Sequence, residues 1–255
     1  MEISLTTYLI VCPFVFLAGL VDAIGGGGGL ISLPAYLLAG LPAHNAIATN
    51  KLSSACGTTI ATGRFIKEGL VNAKLAVPSV IAAVIGSSMG ARASLLLSER
   101  QLVLILMIVL PVAALIVLNK KLFGANEDET IHLDRRTFAT AIVSALVIGF
   151  YDGLYGPGTG TFLIIAFTVF AHLGIKSANA HTKVINLTTN ITSLVVFLMH
   201  GQVLFLLGIP AALCNMLGGY IGAGLVMKNG ARIVRPSIIL VLCLLGAKLA
   251  AGYLF

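Results

Sequence analysis

Four charged residues stand inside stretches that are otherwise apolar: Asp22, Lys51, Asp152 and Lys183. Each aspartate precedes a glycine-rich break, Asp22-Ala-Ile-Gly-Gly-Gly-Gly-Gly29 in one case and Asp152-Gly-Leu-Tyr-Gly-Pro-Gly-Thr-Gly160 in the other. Each lysine closes a short polar motif, Ala48-Thr49-Asn50-Lys51 or Ala180-His181-Thr182-Lys183. Ammonium groups beside hydroxyls and amides are the chemistry of a small-anion site. The breaks add to it. A glycine inside a helix costs about 1 kcal/mol relative to alanine, so five in a row interrupt one. A helix that restarts near Leu30, and another near Thr161, would present unsatisfied N–H groups and a partial positive charge to an anion.

The candidate anion-binding residues are therefore Gly26, Gly27, Gly28, Gly29, Thr49, Asn50 and Lys51, with Gly156, Gly158, Thr159, Gly160, Thr182, Lys183 and Asn186. Asp22 and Asp152 have three roles open: pairing with the lysines to neutralise the site, binding a proton or Na⁺ for coupling, or capping the broken segment. Structural readings compete throughout. The lysines could snorkel to an interface, and the cluster Asn186, Thr188, Thr189, Asn190, Thr192 and Ser193, echoed by Ser53, Ser54, Thr58 and Thr59, could be interhelical glue. His181 and His200 are in reach of protonation near neutral pH. Neither has a chemical counterpart in the first half of the chain, which favours a structural role.

These residues need a scaffold, and the composition says which. Of 255 residues 58% are hydrophobic and only 10% charged, with a mean hydropathy of +1.03. A soluble domain carries about 25% charged residues, so the chain is read as an all-α polytopic membrane protein. The net charge of +7 comes mostly from lysines and arginines in short loops, where it orients the protein in a membrane and does not call for nucleic acid. The N-terminus lacks the basic region of a cleavable signal, so the first apolar run is expected to stay in the membrane. Cys12, Cys56, Cys214 and Cys243 lie in apolar runs without ligand spacing, and no metal, disulfide or cofactor is expected. Trp is absent, which leaves Tyr8, Tyr36 and Tyr253 as interfacial aromatics. No nucleophile–base set, paired carboxylate or nucleotide-binding strand–turn–helix is present, so an enzyme is not expected.

The scaffold is duplicated. Lys183 minus Lys51 is 132, and the same offset joins Phe65 to Phe197, Gly69 to Gly201, Pro78 to Pro210, Gly86 to Gly218 and Gly90 to Gly222. Nearer the start of each half the offset is 130, joining Gly19 to Gly149, Asp22 to Asp152, Gly26 to Gly156 and Gly28 to Gly158. Apolar segments run over 4–24, 30–40, 46–66, 73–97 and 101–119, then 137–155, 160–173, 178–199, 203–226 and 236–254. The second segment of each half is shorter than the roughly 20 residues of a straight span, so it is either a half-helix or a tilted short span. The resulting division is a first transmembrane repeat over 1–119, a polar linker over 120–136 and a second repeat over 137–255. With the basic linker in the cytoplasm, five crossings per half make the two repeats inverted. If the short segments re-enter instead, four spans per half allow parallel repeats. Glycine-broken helices at matching places in two repeats point to a transporter's binding site at mid-membrane. Gly86 and Gly90, and Gly218 and Gly222, read instead as close helix–helix contacts.

With this double pattern in place, the chain resembles the TauE/SafE family of sulfite exporters, also called the toluene sulfonate uptake permease family. The residues that carry the resemblance are Gly19-Leu-Val-Asp-Ala-Ile-Gly-Gly-Gly-Gly-Gly-Leu-Ile-Ser-Leu-Pro34 and Asn45-Ala-Ile-Ala-Thr-Asn-Lys51, with Gly149-Phe-Tyr-Asp-Gly-Leu-Tyr-Gly-Pro-Gly-Thr-Gly160 and Ala180-His-Thr-Lys183. The resemblance covers essentially the whole chain. It implies a multi-pass cell inner membrane transporter of small sulfur-containing anions such as sulfite, thiosulfate or sulfonates. The partners expected are that oxyanion, a proton or Na⁺ as coupling ion, and the lipid bilayer, with a homodimer left open. A passive anion channel and a non-transporting membrane partner of a sulfur-metabolism system are the alternatives.

Overall fold

Every described element is a helix. The computed structural model describes residues 4–98, 100–101, 133–230, 232–234 and 236, and eight helices occupy them. These are α1 (Leu5–Gly25), α2 (Gly29–Leu38), α3 (Ala43–Lys67), α4 (Ala73–Leu96), α5 (Arg135–Leu154), α6 (Thr159–Val169), α7 (Ile175–Met199) and α8 (Phe205–Asn229). The expected segments 101–119 and 236–254, most of the linker, Cys243 and Tyr253 fall almost wholly outside these residues. The other eight expected segments are all helical, with ends within a few residues of the sequence reading.

The boundaries have local causes. The Ser4 side chain accepts the Thr7 N–H at the start of α1, and Asn72 accepts the Lys74 N–H at the start of α4. Asp134 does the same for α5 through the Thr137 N–H at 2.7 Å, a bond that holds its carboxyl below the usual range. Helix α1 ends on Gly26, whose φ of 77° gives the left-handed C-cap that favours glycine.

Helices α1, α4, α5, α7 and α8 are long and apolar enough to cross a membrane. Helix α3 is as long but carries Asn50, Lys51, Thr58 and Thr62 buried within it. The outer faces are apolar: Leu206, Ile209, Leu213, Leu217 and Tyr220 recur at helical spacing along α8 and are exposed, as are Val77, Ile81, Ile85 and Met89 along α4. Polar groups inside and apolar groups outside is the arrangement that a lipid environment selects.

Packing crosses the two halves. A Cβ on Gly86 or Gly90 of α4 would lie 2.2 Å from the Leu146 carbonyl oxygen or 1.9 Å from that of Phe150, so α4 packs backbone to backbone on α5. Gly218 and Gly222 of α8 do the same on α1, at Phe16 and Leu20. The expected small-residue contacts thus join the fourth helix of each half to the first helix of the other. Register fixes the directions. Tyr8 bonds the Leu206 carbonyl at one end of α1, and Leu20 meets Gly222 at the other, so α1 and α8 run the same way. Thr49 at Leu204 and Arg64 at Tyr220 place α3 alongside them. Asn45 at Gln202 and Thr62 at Lys183 make α3 and α7 antiparallel. Corresponding helices of the two halves therefore point in opposite directions, as an inverted duplication requires. Because α1 and α3 run the same way, the short α2 with its loop returns the chain between them, and α6 does so between α5 and α7.

One expected interfacial residue is misplaced in the sequence reading. Tyr36 is fully buried, packed with Val11, Val15, Leu41 and Leu207, and its hydroxyl lies 3.1 Å from Ser53 Oγ. It faces inward because α2 sits beside the break, wedged against α1 and α3, and not at a membrane surface. Tyr8, by contrast, is near the exposed end of α1.

Candidate functional site

The charged residues meet in crossed pairs. Lys51 of α3 donates to Asp152 of α5 at 2.7 Å, with both side chains 3% exposed. Lys183 of α7 donates to Asp22 of α1 at 2.8 Å and also to the Asp22 backbone carbonyl. Here the lysine is fully buried and the aspartate 19% exposed. Each lysine is thus paired with the aspartate of the other half. The pairs sit at different levels. Thr62, which donates to the Lys183 carbonyl, is 11 residues beyond Lys51 on α3, about 16 Å of helix rise.

Between the pairs lies a polar cavity lined by Asp22, Gly26, Gly29, Asn50, Lys51, Ser54, Asp152, Tyr155, Gly156, Thr159, Gly160, Asn186 and Asn190. Its volume of about 20 Å³ is room for one or two water molecules. Eight of the candidate binding residues, Gly26, Gly29, Asn50, Lys51, Gly156, Thr159, Gly160 and Asn186, are brought together here with both aspartates, Asp22 and Asp152. Ser54 and Asn190 join them, one from each polar cluster, and Asn190 donates to Asn186 Oδ1 at 3.0 Å.

The glycines explain how two broken helices share this space. A Cβ on Gly26 would lie 2.2 Å from the Gly160 carbonyl carbon, and a Cβ on Gly160 would lie 2.5 Å from Gly26 Cα. The breaks touch backbone to backbone. Gly156 has a φ of 92°, and a Cβ there would lie 2.7 Å from Asp152 Oδ1 and 3.1 Å from Lys51 Nζ. A broken helix leaves its last carbonyls without partners, and here the second half supplies them. Asn179 Nδ2 donates to the carbonyls of Ala23 and Ile24, the Thr161 hydroxyl to that of Gly25 at 2.6 Å, and the Thr161 N–H to that of Gly26. The Thr161 amide, expected to face the cavity, is therefore committed to the other break. The Gly28 N–H reaches Asp22 Oδ1 at 3.4 Å. Asn179 went unnoticed in the sequence because its counterpart in the first half is Ile47; its one signal is an amide at the buried start of a long helix.

The remaining candidates lie off the cavity. Gly27, Gly28 and Gly158 form the breaks themselves, and Gly158 has a φ of 82°. Thr182 is fully buried beside Lys183. Thr49 accepts the Leu204 N–H at 3.1 Å, at the start of α8. Its counterpart at the 132-residue offset, His181, accepts the Asn72 N–H at 3.1 Å through Nε2, at the start of α4, while its Nδ1 bonds the Ser177 carbonyl. The two residues share no side-chain chemistry yet do one job: each receives the first amide of the helix that crosses over from the neighbouring hairpin. The sequence comparison, which matched side-chain types, could not see this. Replacing His181 with alanine orphans the Asn72 N–H and is expected to cost about 1–3 kcal/mol, read by equilibrium unfolding in detergent. Thr49→Val is expected to cost a similar amount by orphaning the Leu204 N–H.

Comparison with known proteins agrees with this architecture. The family model described as "Sulfite exporter TauE/SafE" matches residues 11–249. "Probable membrane transporter protein ORF9" of Sinorhizobium sp is 36% identical over 236 residues, 92% of this chain and 89% of the relative. YfcA of Escherichia coli strain K12, named in the same way, is 34% identical over 238 residues, 91% of this chain and 86% of the relative. A relative of Haemophilus influenzae, also so named, is 32% identical over 253 residues, 98% and 96% of the two chains. No solved structure matches the chain. A helical chain with lipid-facing apolar surfaces, a buried polar centre and a family match over nearly its whole length belongs to the TauE/SafE family, a family of multi-pass membrane transporters and not of enzymes.

Proposed function

We propose that the protein is a secondary transporter of small sulfur-containing anions, with sulfite, thiosulfate and sulfonates as the substrate class, in the cell inner membrane. The observation that carries this is the pair of crossed, buried Lys–Asp bridges on either side of a polar cavity where two broken helices meet. Buried ion pairs are a weak source of stability, so two of them at matched positions are better explained by the anion whose place they keep. The cavity groups that would bind it are Lys51, the amides of Asn50, Asn186 and Asn190, and the Ser54 and Thr159 hydroxyls, with Lys183 behind Asp22 freed when that bridge opens. All of these come from one chain.

Alternating access would use the packing units and not the sequence repeats. One unit is α1, α2, α3 and α8; the other is α4, α5, α6 and α7. They join mainly along α3 and α7 and through the two bridges, so opening one bridge would expose the cavity to one face. The Lys51–Asp152 bridge lies toward the face where α1 and α3 begin, the Lys183–Asp22 bridge toward the other. That other face carries Arg64, Lys67, Lys74, Arg135, Arg136, Lys176, Lys228 and Arg232 among the described residues, against Arg92 and Arg100 on the first. The excess supports a cytoplasmic position for that face.

Purified protein in liposomes tests the reading. Accumulation of labelled sulfite or thiosulfate against its gradient, driven by a proton or Na⁺ gradient, is expected. Flux that only follows the anion's own gradient at channel rates would instead make this a passive channel. No flux of any sulfur oxyanion would leave a non-transporting partner.

A further inference from the structure

We propose that Asp22 is a removable stand-in for the transported anion and the place where the coupling proton is taken up. The inference rests on the anion-transport reading above and adds the identity of the coupling ion. Three groups converge on the Asp22 carboxylate: the Lys183 ammonium at 2.8 Å and the Asn186 amide at 3.5 Å on Oδ2, and the Gly28 N–H at 3.4 Å on Oδ1. All three are donors. A set of donors that holds a carboxylate holds another small oxyanion equally well. The same set is wrong for Na⁺, a hard cation that needs oxygen ligands and would here meet an ammonium and two N–H groups.

The two carboxylates are not equivalent. Asp22, Asp152 and Lys51 all line the cavity, but Asp152 and its lysine are only 3% exposed, whereas Asp22 retains 19%. The charges facing Asp22 can be enumerated from the elements around it. Lys183 comes from α7, Lys51 from α3, and Asp152 from α5 across the cavity, with Tyr155 of the break after α5 in the lining. Helices α2 and α6 bring Gly29, Thr159 and Gly160, and α8 meets this part of α1 through Gly218 and Gly222. Two lysines and two aspartates sum to zero. An anion entering alone would leave a net negative charge where there is room for one or two waters, which is costly.

A proton removes that cost. It adds to an oxygen of the Asp22 carboxylate and makes a neutral carboxylic acid, which holds the ammonium far less tightly than the carboxylate did. Lys183, Asn186 and the Gly28 N–H then accept an oxygen of the incoming anion in its place. On the far side the anion leaves, Asp22 loses its proton to water, and the Lys183–Asp22 bridge reforms. One proton travels with each anion admitted, so a monoanion crosses without moving net charge and a dianion moves one negative charge.

The test uses thiosulfate and methanesulfonate, whose own charges are constant across about pH 5 to 8, the window over which side-chain protonation is to be read. In the wild-type protein, affinity measured by anion-dependent thermal stabilisation is expected to rise as pH falls, by up to tenfold per pH unit, the slope of one proton taken up per anion. In Asp22→Asn that slope is expected to vanish. Because the variant leaves Lys183 buried without a counter-charge and could fold poorly, a second measurement uses wild-type protein alone: a pH dye inside liposomes should report acidification as methanesulfonate enters, with no membrane current. A pH slope that survives in Asp22→Asn, or methanesulfonate entry without acidification, overturns the inference while leaving anion transport standing. Absence of anion binding by wild-type protein at every pH overturns the transport reading and this inference with it.

Discussion

Lys51→Ala is expected to abolish anion-dependent thermal stabilisation and to cost the folded protein about 3–5 kcal/mol, the penalty for stranding one member of a buried ion pair. The stranded group is Asp152, 3% exposed, with its carboxylate against the Gly156 backbone and only a cavity of one or two waters beside it. Lys51→Ala/Asp152→Ala, which removes both charges, is expected to recover most of the lost stability without recovering anion stabilisation. Stability and ligand response thereby separate in one pair of variants. Lys183→Ala should also abolish anion stabilisation, at a smaller cost to folding, because Asp22 keeps 19% exposure and its bonds from Gly28 and Asn186. Thermal shift with sulfite and thiosulfate, together with unfolding in detergent, reads both effects. Full anion stabilisation in both single variants would sink the lysine assignment.

Gly26→Ala is expected to destabilise the protein by about 2–5 kcal/mol, summed from a left-handed backbone forced on an L side chain at about 1–2 and an overpacked contact at about 1–3. Its φ is 77°, and the new methyl would sit 2.2 Å from the Gly160 carbonyl carbon. Backbone cannot swing aside as a side chain can, so the two breaks would have to part. Gly40→Ala provides the control. Gly40 has a φ of 84° with nothing within 4 Å of an added Cβ, so it should show only the backbone strain, about 1–2 kcal/mol. Equal costs at the two positions would mean that the contact between the breaks carries no stability.

The residues that form the site could be read from the chain, but their partners could not. Asp22, Lys51, Asp152 and Lys183 announce themselves as charges in apolar runs, and the cost of such charges in a membrane is a property of each residue alone. Which lysine meets which aspartate depends on helices 101 and 161 residues apart in the chain. A local reading would pair Asp22 with Lys51, since they lie in the same half. The structure crosses them, because α3 and α7 run antiparallel and each carries its lysine to the broken helix of the other half.

Thr49 and Tyr36 show the same limit at single residues. The polarity of Thr49 and its place beside Lys51 made it a candidate ligand, yet its hydroxyl caps α8. Tyr36 has the composition of an interfacial aromatic, yet α2 turns it into the core. Composition and spacing are one-dimensional quantities. By themselves they determined a polytopic helical membrane protein, a duplicated order of aspartate, glycine break and lysine, and the small-residue faces that pack. Only the tertiary structure decided that the fourth helices exchange places between the halves, that the bridges cross, and that the two glycine breaks rest on each other. The reason is physical: a helix forms from its neighbours in sequence, but the surface it packs against is set by steric fit and charge among residues distant in the chain, 60 positions away for Gly86 and Leu146 and 202 for Gly218 and Phe16.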